Sequence, residues 1–553
     1  MKLLFNVLSC YRNFLSNLIL TLLISFTGTA QNRSIILGRP TDQSVTASLL
    51  FKQNTDFYLC YGMQPGSPSD STAVLTATAG APTEYDLTNL LPNSRYFYRM
   101  YSRNMGASSF TASAEYSFHT QRTQGNDFTF TIEADEHLYD KKGSANTYQI
   151  CLNNQAADNP DFIISLGDIF GDDHFPDSMT SSEMDSLHLA YRPFLESVCH
   201  SAPFYVCLGN HEGENDYYLA QNPPNNIAVW GTQWRKHYYP NPYPNGFYSG
   251  NTTQEPFGIG YPENYYAWNW GNALFVVLDV YRDQCDTSPK PKGWNWSLGQ
   301  PQYDWLKSTL DTSTATFKFV FAHHILGQGR GGVINATRFE WGGYEQNGSN
   351  YTFPTNRPGW AAPIHDLFVN AGVNIFFQGH DHVFAREELD GIVYQAAPMA
   401  ADSTYEIGML ANADAYLSDT LEGTGHLRVH VTDNCVTVDF VRTYLPADTI
   451  GGTHQNGEVA FSYTVGPCSL TNIDNTTSNF SVHLFPMPAK NVVNIKIIGS
   501  YETPSWKLMD MGGRCIRQGT GYTISTENIQ DGIYFCTMES SEYALTQKII
   551  IAH

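Results

Sequence analysis

Apolar runs at residues 128–134, 162–166, 204–208, 273–278, 317–322 and 373–378 read as strands, and the patterns at 146–156 and 182–198 read as helices. Strands that alternate with helices bury their sheet beneath those helices, so this region is expected to form an α/β domain. β patterning returns at 423–440 and 459–465 and would complete the sheets. Two stretches, 212–270 and 327–359, are rich in Tyr, Trp, Asn, Pro and Gly and show little periodicity. Loops that long inside a compact domain are either functional or contain structure that the pattern hides. Both directly follow candidate site residues, so they are expected to wall a cleft.

At 553 residues the chain exceeds what one hydrophobic core organises, and two to four domains are expected. Residues 32–121 read as a small all-β domain, with β-rich runs at 44–51, 57–61, 95–101 and 115–120 separated by Pro, Gly, Asn and Ser. Residues 122–468 form the α/β domain. The polar stretch 469–481, with Asn475-Thr476-Thr477-Ser478, reads as a linker, and 482–553 returns to short β-runs with turns. At the start, Lys2 and Arg12 precede the apolar run 18–26 and the small residues Thr27-Gly28-Thr29-Ala30. That run is shorter than the roughly 20 residues needed to cross a bilayer, so residues 1–30 read as a cleaved export signal. No later stretch is apolar and long enough for a transmembrane helix, and none is expected in the mature chain.

Acidic residues outnumber basic ones 53 to 31, for a formal charge of −22. This balance disfavours binding to nucleic-acid backbones or anionic membranes through surface charge. A phosphorylated substrate stays open, because bound cations can reverse the local sign inside a cleft. Of ten cysteines, Cys10 lies in the signal, which leaves an odd number and no C-x-x-C pair. Disulfides fit an exported protein, but their pairing is left open.

Five motifs each follow an expected strand: Asp135-Glu136-His137, Gly167-Asp168, Gly209-Asn210-His211-Glu212, His323-His324 and Gly379-His380-Asp381-His382. Ligand sites of α/β sheets collect at the carboxyl ends of strands, so distant segments can converge there. Each motif alone is weak, since a Gly-Asp or Gly-Asn pair is ordinarily a turn. In ordered series they are specific. Carboxylate, amide and imidazole donors without thiolate suit Mn, Fe, Zn or similar ions. One bridging carboxylate can hold two ions roughly 3.5–4 Å apart. Asp135 and His137, like His380 and His382, are two apart, so an extended strand end would turn each pair to one side. Asp172, Asp173 and His174 could shape the pocket or donate a proton, or form a solvated turn.

The series D-x-H, G-D, G-N-H-E, H and G-H-x-H resembles the calcineurin-like metallophosphoesterases, which include the purple acid phosphatases. That resemblance implies an α/β (α+β) catalytic domain, a double β-sandwich flanked by helices, with small all-β sandwiches at both ends of the chain. It implies two divalent or mixed-valence ions: Asp135, His137 and His382 on one, Asn210, His323 and His380 on the other, and Asp168 bridging. His211 would contact the substrate phosphate and assist the leaving oxygen. Hydroxide held between the ions would attack phosphorus, with no covalent phospho-enzyme. Purple acid phosphatases carry a tyrosine ligand three residues after the bridging aspartate and lack the histidine of the first motif. Here those positions are Gly171 and His137, so neither the purple colour nor an obligate ferric ion is expected. Ile325 stands where a proline is common, and the choice of His323 over His324 rests on that alignment.

Around Leu90-Leu91-Pro92, before alternating Tyr96 and Tyr98, the chain resembles the corner of fibronectin type III-like sandwiches. The final segment resembles the C-terminal sorting domain of type IX secretion. Its matches are Leu484-Phe485-Pro486-Met487-Pro488-Ala489, Val493-Asn494-Ile495, Leu508-Met509-Asp510-Met511-Gly512-Gly513, Gly532-Ile533-Tyr534-Phe535 and Lys548-Ile549-Ile550-Ile551. Met487 replaces the usual Asn. This implies handling by that secretion machinery and export by a Gram-negative bacterium, either released or held at the outer surface. The expected function is hydrolysis of phosphate mono- or diesters. The alternatives are a narrow phosphodiesterase or nucleotidase, and an inert scaffold displayed to bind a partner.

Overall fold

The computed structural model describes residues 33–171, 174–283, 292–325, 330–407, 412–413, 415–416, 419–468, 481–485, 489–498, 503–510, 514–539 and 544–553. The signal 1–30, Asp172, Asp173, Cys285, linker residues 469–480 and the sorting-motif residues Pro486, Met487, Pro488, Met511, Gly512 and Gly513 lie outside them. The chain divides into two compact units, 1–468 and 469–553.

The first unit begins with a β-sandwich. One sheet pairs Val45–Phe51 with Arg33–Gly38 and Thr83–Leu87; the other centres on Thr55–Gly62 and Arg95–Asn104. Alternate residues point inward, so Phe57 and Leu59 meet Tyr96, Tyr98, Met100 and Phe118 in one core. The Tyr96 hydroxyl accepts from the Leu91 backbone N–H at 2.9 Å, the bond that fixes a tyrosine corner. In the three-stranded sheet, Arg33–Gly38 and Val45–Phe51 are buried on both faces. Ile36 and Leu50 pack with Tyr191, Leu195 and Val198 of helix Ser181–Cys199. Arg192, fully buried, donates from that helix to Ser34 Oγ at 3.0 Å, to Ser48 O at 2.9 Å and to the Tyr238 carbonyl. The sandwich and the α/β domain therefore share a core.

The α/β domain has two sheets packed face to face. In spatial order the first runs Phe204–Val206, Phe162–Ser165, Phe128–Glu133, Gly425–Val431, Val436–Arg442 and Val459–Val465. The second runs Ser249–Gly250, Tyr266–Trp270, Ala273–Val277, Phe317–Phe321, Ile375–Gln378, Ile392–Ala396, Phe384–Leu389 and Thr420–Leu421. Period-two alternation explains the layering. Phe128, Phe130 and Ile132 meet Phe275, Phe319, Phe321 and Phe377 between the sheets. Their neighbours face outward: Thr131 and Glu133 bond Gln155 of helix Ala145–Ala157. On the far side Val276, Val320 and Phe376 meet Leu306 and Phe368 of helices Gly299–Thr312 and Ile364–Ala371. The result is four layers, αββα. Cys435 and Cys468 form a disulfide at the edge of the first sheet.

The stretch 212–270 is not a loop. It holds helices Asp216–Leu219 and Ile227–Tyr238 and strand Tyr266–Trp270. Helix Ile227–Tyr238 buries Thr232 and Arg235 as well as its apolar residues, because both bond the buried carboxylate of Glu214. A helix that buries polar residues loses the apolar periodicity that would reveal it. In 327–359 three one-turn helices, Val333–Ala336, Phe339–Gly342 and Phe353–Asn356, are likewise too short to give a periodic signal.

In the second unit, a three-stranded sheet of Ser481–Phe485, Val492–Ile498 and Thr523–Ser525 accompanies a four-stranded one of Cys515–Thr520, Ser505–Met509, Gly532–Glu539 and Ala544–Ile551. Val493, Trp506, Leu508, Ile524, Met538 and Ile549 form its core.

Candidate metal centre

The five motifs meet at the carboxyl ends of their strands. Asp135 and Asp168 follow Phe128–Glu133 and Phe162–Ser165; Asn210 follows Phe204–Val206; His323 and His380 follow Phe317–Phe321 and Ile375–Gln378. The backbone there is not extended. Asp135, His137, Asp168, His380 and His382 have φ of +56°, +50°, +58°, +69° and +58°. The i, i+2 pairs thus converge through left-handed kinks and not through strand alternation, which corrects the sequence expectation. A non-glycine residue held in that region costs about 1–3 kcal/mol and persists only where its surroundings impose it. Gly209 serves close approach: a Cβ there would lie 2.3 Å from Asp168 Oδ1. At Gly171, φ +116°, a Cβ would lie 2.5 Å from the His211 carbonyl. No side chain, a tyrosine included, fits at that position.

Ligand atoms of Asp135, His137 and His382 lie within 4.8 Å of one another, as do those of Asp168, His323 and His380, and those of His137, Asp168 and His211. Asp168 Oδ2 is 3.1 Å from His323 Nε2 and 3.9 Å from the Nε2 atoms of His137 and His211. His382 Nε2 is 3.0 Å from His137 Nε2 and 3.5 Å from Asp135 Oδ1. His380 Nδ1 is 3.3 Å from His323 Nε2. Asp135 Oδ1 and Asn210 Oδ1 are buried and, among the described residues, accept no hydrogen bond. A buried oxygen left so costs about 1–3 kcal/mol, a cost that a bound cation removes. Facing imidazole nitrogens, a shared carboxylate and orphaned oxygens fit a pair of cations.

The surroundings aim these donors. His137 Nδ1 is held by the Tyr139 hydroxyl at 2.8 Å and the Asp140 carboxylate at 3.3 Å, which leaves Nε2 for the centre. His323 Nδ1 is 2.8 Å from the Leu166 carbonyl, with the same effect. The His324 ring lies 4.9 Å from that of His380, and among the described residues it is His323 whose nitrogen groups with Asp168 and His380. Glu212, quoted in the sequence only as part of a motif, accepts from the backbone N–H groups of Asp168, Gly209 and Ile169 at 3.0, 2.6 and 2.8 Å. It ties the loop of Asp168 to that of Asn210. The buried carboxylate of Asp381 accepts from the Tyr416 hydroxyl at 2.6 Å and Gly331 N–H at 2.8 Å, which seats the loop of His380 and His382. Tyr139, Asp140, Tyr416 and Arg330 carried no sequence signal, because their roles depend on neighbours distant in the chain. His174 stacks on His211 at 4.7 Å.

Burial pushes Asp135 and Glu212 up to about 7. Burial also opposes charge on Asp168, but His323, His211 and His137 hold that carboxylate well below its usual range. His323 is desolvated too, yet Asp168 and Asp135 keep its proton up to about 10. His380 and His382 lie well below 6.5 through burial and neighbouring histidines. His380 and His382 are thus neutral imidazoles, the form that coordinates cations, whereas His323 must lose its proton to do so.

A double sandwich with this cluster of donors at its strand ends fits a metal-dependent phosphoric ester hydrolase. Residues 128–384 match the calcineurin-like phosphoesterase family, and the chain carries that domain. Residues 483–552 match the secretion system C-terminal sorting domain, which marks the chain for export through type IX secretion. Among solved structures, PhoD aligns over 79% of this chain and 91% of its own, with TM-score 0.54 and 16% identity. Purple acid phosphatase PPD1 from yellow lupin (Lupinus luteus) seeds aligns over 80% and 77%, with TM-score 0.51 and 14% identity. At such identities these likenesses concern the fold. No curated protein matched the sequence. Among the described residues no helix is long and apolar enough to cross a membrane.

Proposed function

We propose that this chain is an exported phosphoesterase that uses two divalent or mixed-valence ions (Fe, Mn or Zn) to hydrolyse phosphate mono- or diesters. Asp135, His137 and His382 would hold one ion, Asn210, His323 and His380 the other, and Asp168 both. The observation that carries this reading is Asp168 Oδ2, within 3.1 Å of a nitrogen from one set and 3.9 Å of a nitrogen from the other. When bound, such ions neutralise phosphoryl charge and bring the pKa of water down to about 7. His211 donates its backbone N–H to Asp168 Oδ1 at 2.8 Å, which sets its ring beside the bridging carboxylate. From there it would bind a phosphoryl oxygen and pass a proton to the leaving oxygen. His174, stacked on that ring, limits its rotation.

Protein purified without chelator should contain two ions per chain and hydrolyse p-nitrophenyl phosphate or its bis ester. His211→Ala should lower kcat by about a hundredfold or more with both ions retained. Retained ions with no hydrolysis of any mono- or diester would overturn this reading in favour of an inert scaffold.

A further inference from the structure

Two cations stand beside the centre. Lys142 Nζ is 2.8 Å from Asp140 Oδ2, the carboxylate that also holds His137. Arg330 Nη1 is 3.1 Å from Asp381 Oδ1 and donates to the His380 carbonyl. Asp381 is already met by Tyr416 and Gly331, so it does not depend on Arg330 for its only donors. Both cations stay open to solvent, with side chains 39% and 42% exposed. Among the described residues Arg330 makes its bonds through Nη1 and none through Nη2 or Nε. Arg330 bonds the His380 carbonyl and Lys142 bonds the carboxylate that holds His137, so each cation abuts a residue of the centre.

The scissile phosphoryl group would be met by the ions and His211. A guanidinium clamped at the rim by a buried carboxylate is then surplus for a substrate with one anionic group. It matches a second one, since arginine binds phosphate and carboxylate through paired N–H donors. A chain of net charge −22 repels polyanions elsewhere on its surface, so it needs such local cations to draw one in.

We propose that Arg330, assisted by Lys142, binds a second anionic group of the substrate, and that the preferred substrates are phosphate esters carrying a further phosphate or carboxylate near the scissile one. This rests on the phosphoesterase reading above. The test compares fructose 6-phosphate with fructose 1,6-bisphosphate, with p-nitrophenyl phosphate as the single-anion control. Wild type should favour the bisphosphate in kcat/KM by about tenfold or more. Arg330→Ala should raise KM for the bisphosphate far more than for the two single-anion substrates and so remove that preference, and Arg330→Lys should restore part of it. Calorimetry supplies a readout independent of turnover. Propane-1,3-bisphosphonate should bind the metal-loaded protein more tightly than methylphosphonate, and Arg330→Ala should weaken only the former. Equal wild-type rates and affinities for one- and two-anion compounds would overturn the proposal. So would an equal loss for all substrates in Arg330→Ala, which would reduce Arg330 to support for His380. Failure of the phosphoesterase reading would look different, as no hydrolysis even of p-nitrophenyl phosphate.

Discussion

Single residues in this protein are held against their intrinsic preferences, and the neighbours that hold them are specific. Asp135 and His380 occupy left-handed backbone, and the Asp135 carboxylate accepts from the His380 backbone N–H at 2.9 Å. Glu212 does the same for the loops of Asp168 and Asn210 with its buried carboxylate. A contrasting case is His188, whose two ring nitrogens are buried and, among the described residues, unpartnered against Phe170 and Tyr238. Burial, with Arg235 and His237 nearby, holds its pKa well below the usual value. The unfolded chain takes up a proton there below about pH 6.5 and the folded chain does not, so stability falls as pH drops under that value. The slope from this one group is at most ~1.4 kcal/mol per pH unit. Urea unfolding between pH 7 and 5 should show this loss, and His188→Phe should flatten it. An unchanged slope in the variant would mean that other groups cause the acid sensitivity.

At the scale of elements, the site is built by strands that end together and by helices that cover them. The hairpin of Val436–Arg442 and Val459–Val465 closes the edge of the first sheet, with Val436 paired to Val465 just inside the disulfide. Cys435 and Cys468 are 33 residues apart, and closing a loop of that size restricts the unfolded chain by about 3–4 kcal/mol. Replacing both cysteines by serine should lower the unfolding free energy by about that amount, while kcat on p-nitrophenyl phosphate stays within about twofold, since the hairpin holds no candidate ligand. A large loss of turnover in protein that remains folded would show that this edge supports the centre. The helix Ile227–Tyr238 illustrates the limit of pattern reading. Its buried Arg235 reads as polar in the sequence, but Glu214 neutralises it at 2.6 Å.

The whole molecule comprises two units with separate cores. In the first, Arg192 and the apolar contacts of Ile36 and Leu50 merge the N-terminal sandwich with the α/β domain. All the candidate ligands lie in this unit, and among the described residues the sorting domain contributes none. A chain ending at Cys468 should therefore fold and hydrolyse p-nitrophenyl phosphate within about twofold of the longer protein, yet fail to leave a cell that exports the full chain. Fractionation of such cells and assay of the purified protein check the two halves of this statement. An inactive but folded truncated protein would show that the second unit supports catalysis.

Much of the candidate site was legible in the sequence because few residue types bind such ions: Asp135, Asp168, Asn210, His323 and His380 each follow an apolar run, and the structure brings them together. The strands were legible for a similar reason, since runs such as 273–277 are buried on both faces and are apolar throughout. What the linear chain did not reveal were relations between distant segments. The choice of His323 over His324, the left-handed turns at the ligands, Glu212 across two loops and Arg330 over His380 all depend on which surfaces meet. Composition and period determine how a segment is solvated, and they carry no information about its partner. Only packing decides which buried carboxylate receives which donor, and the chemistry of this centre rests on those pairings.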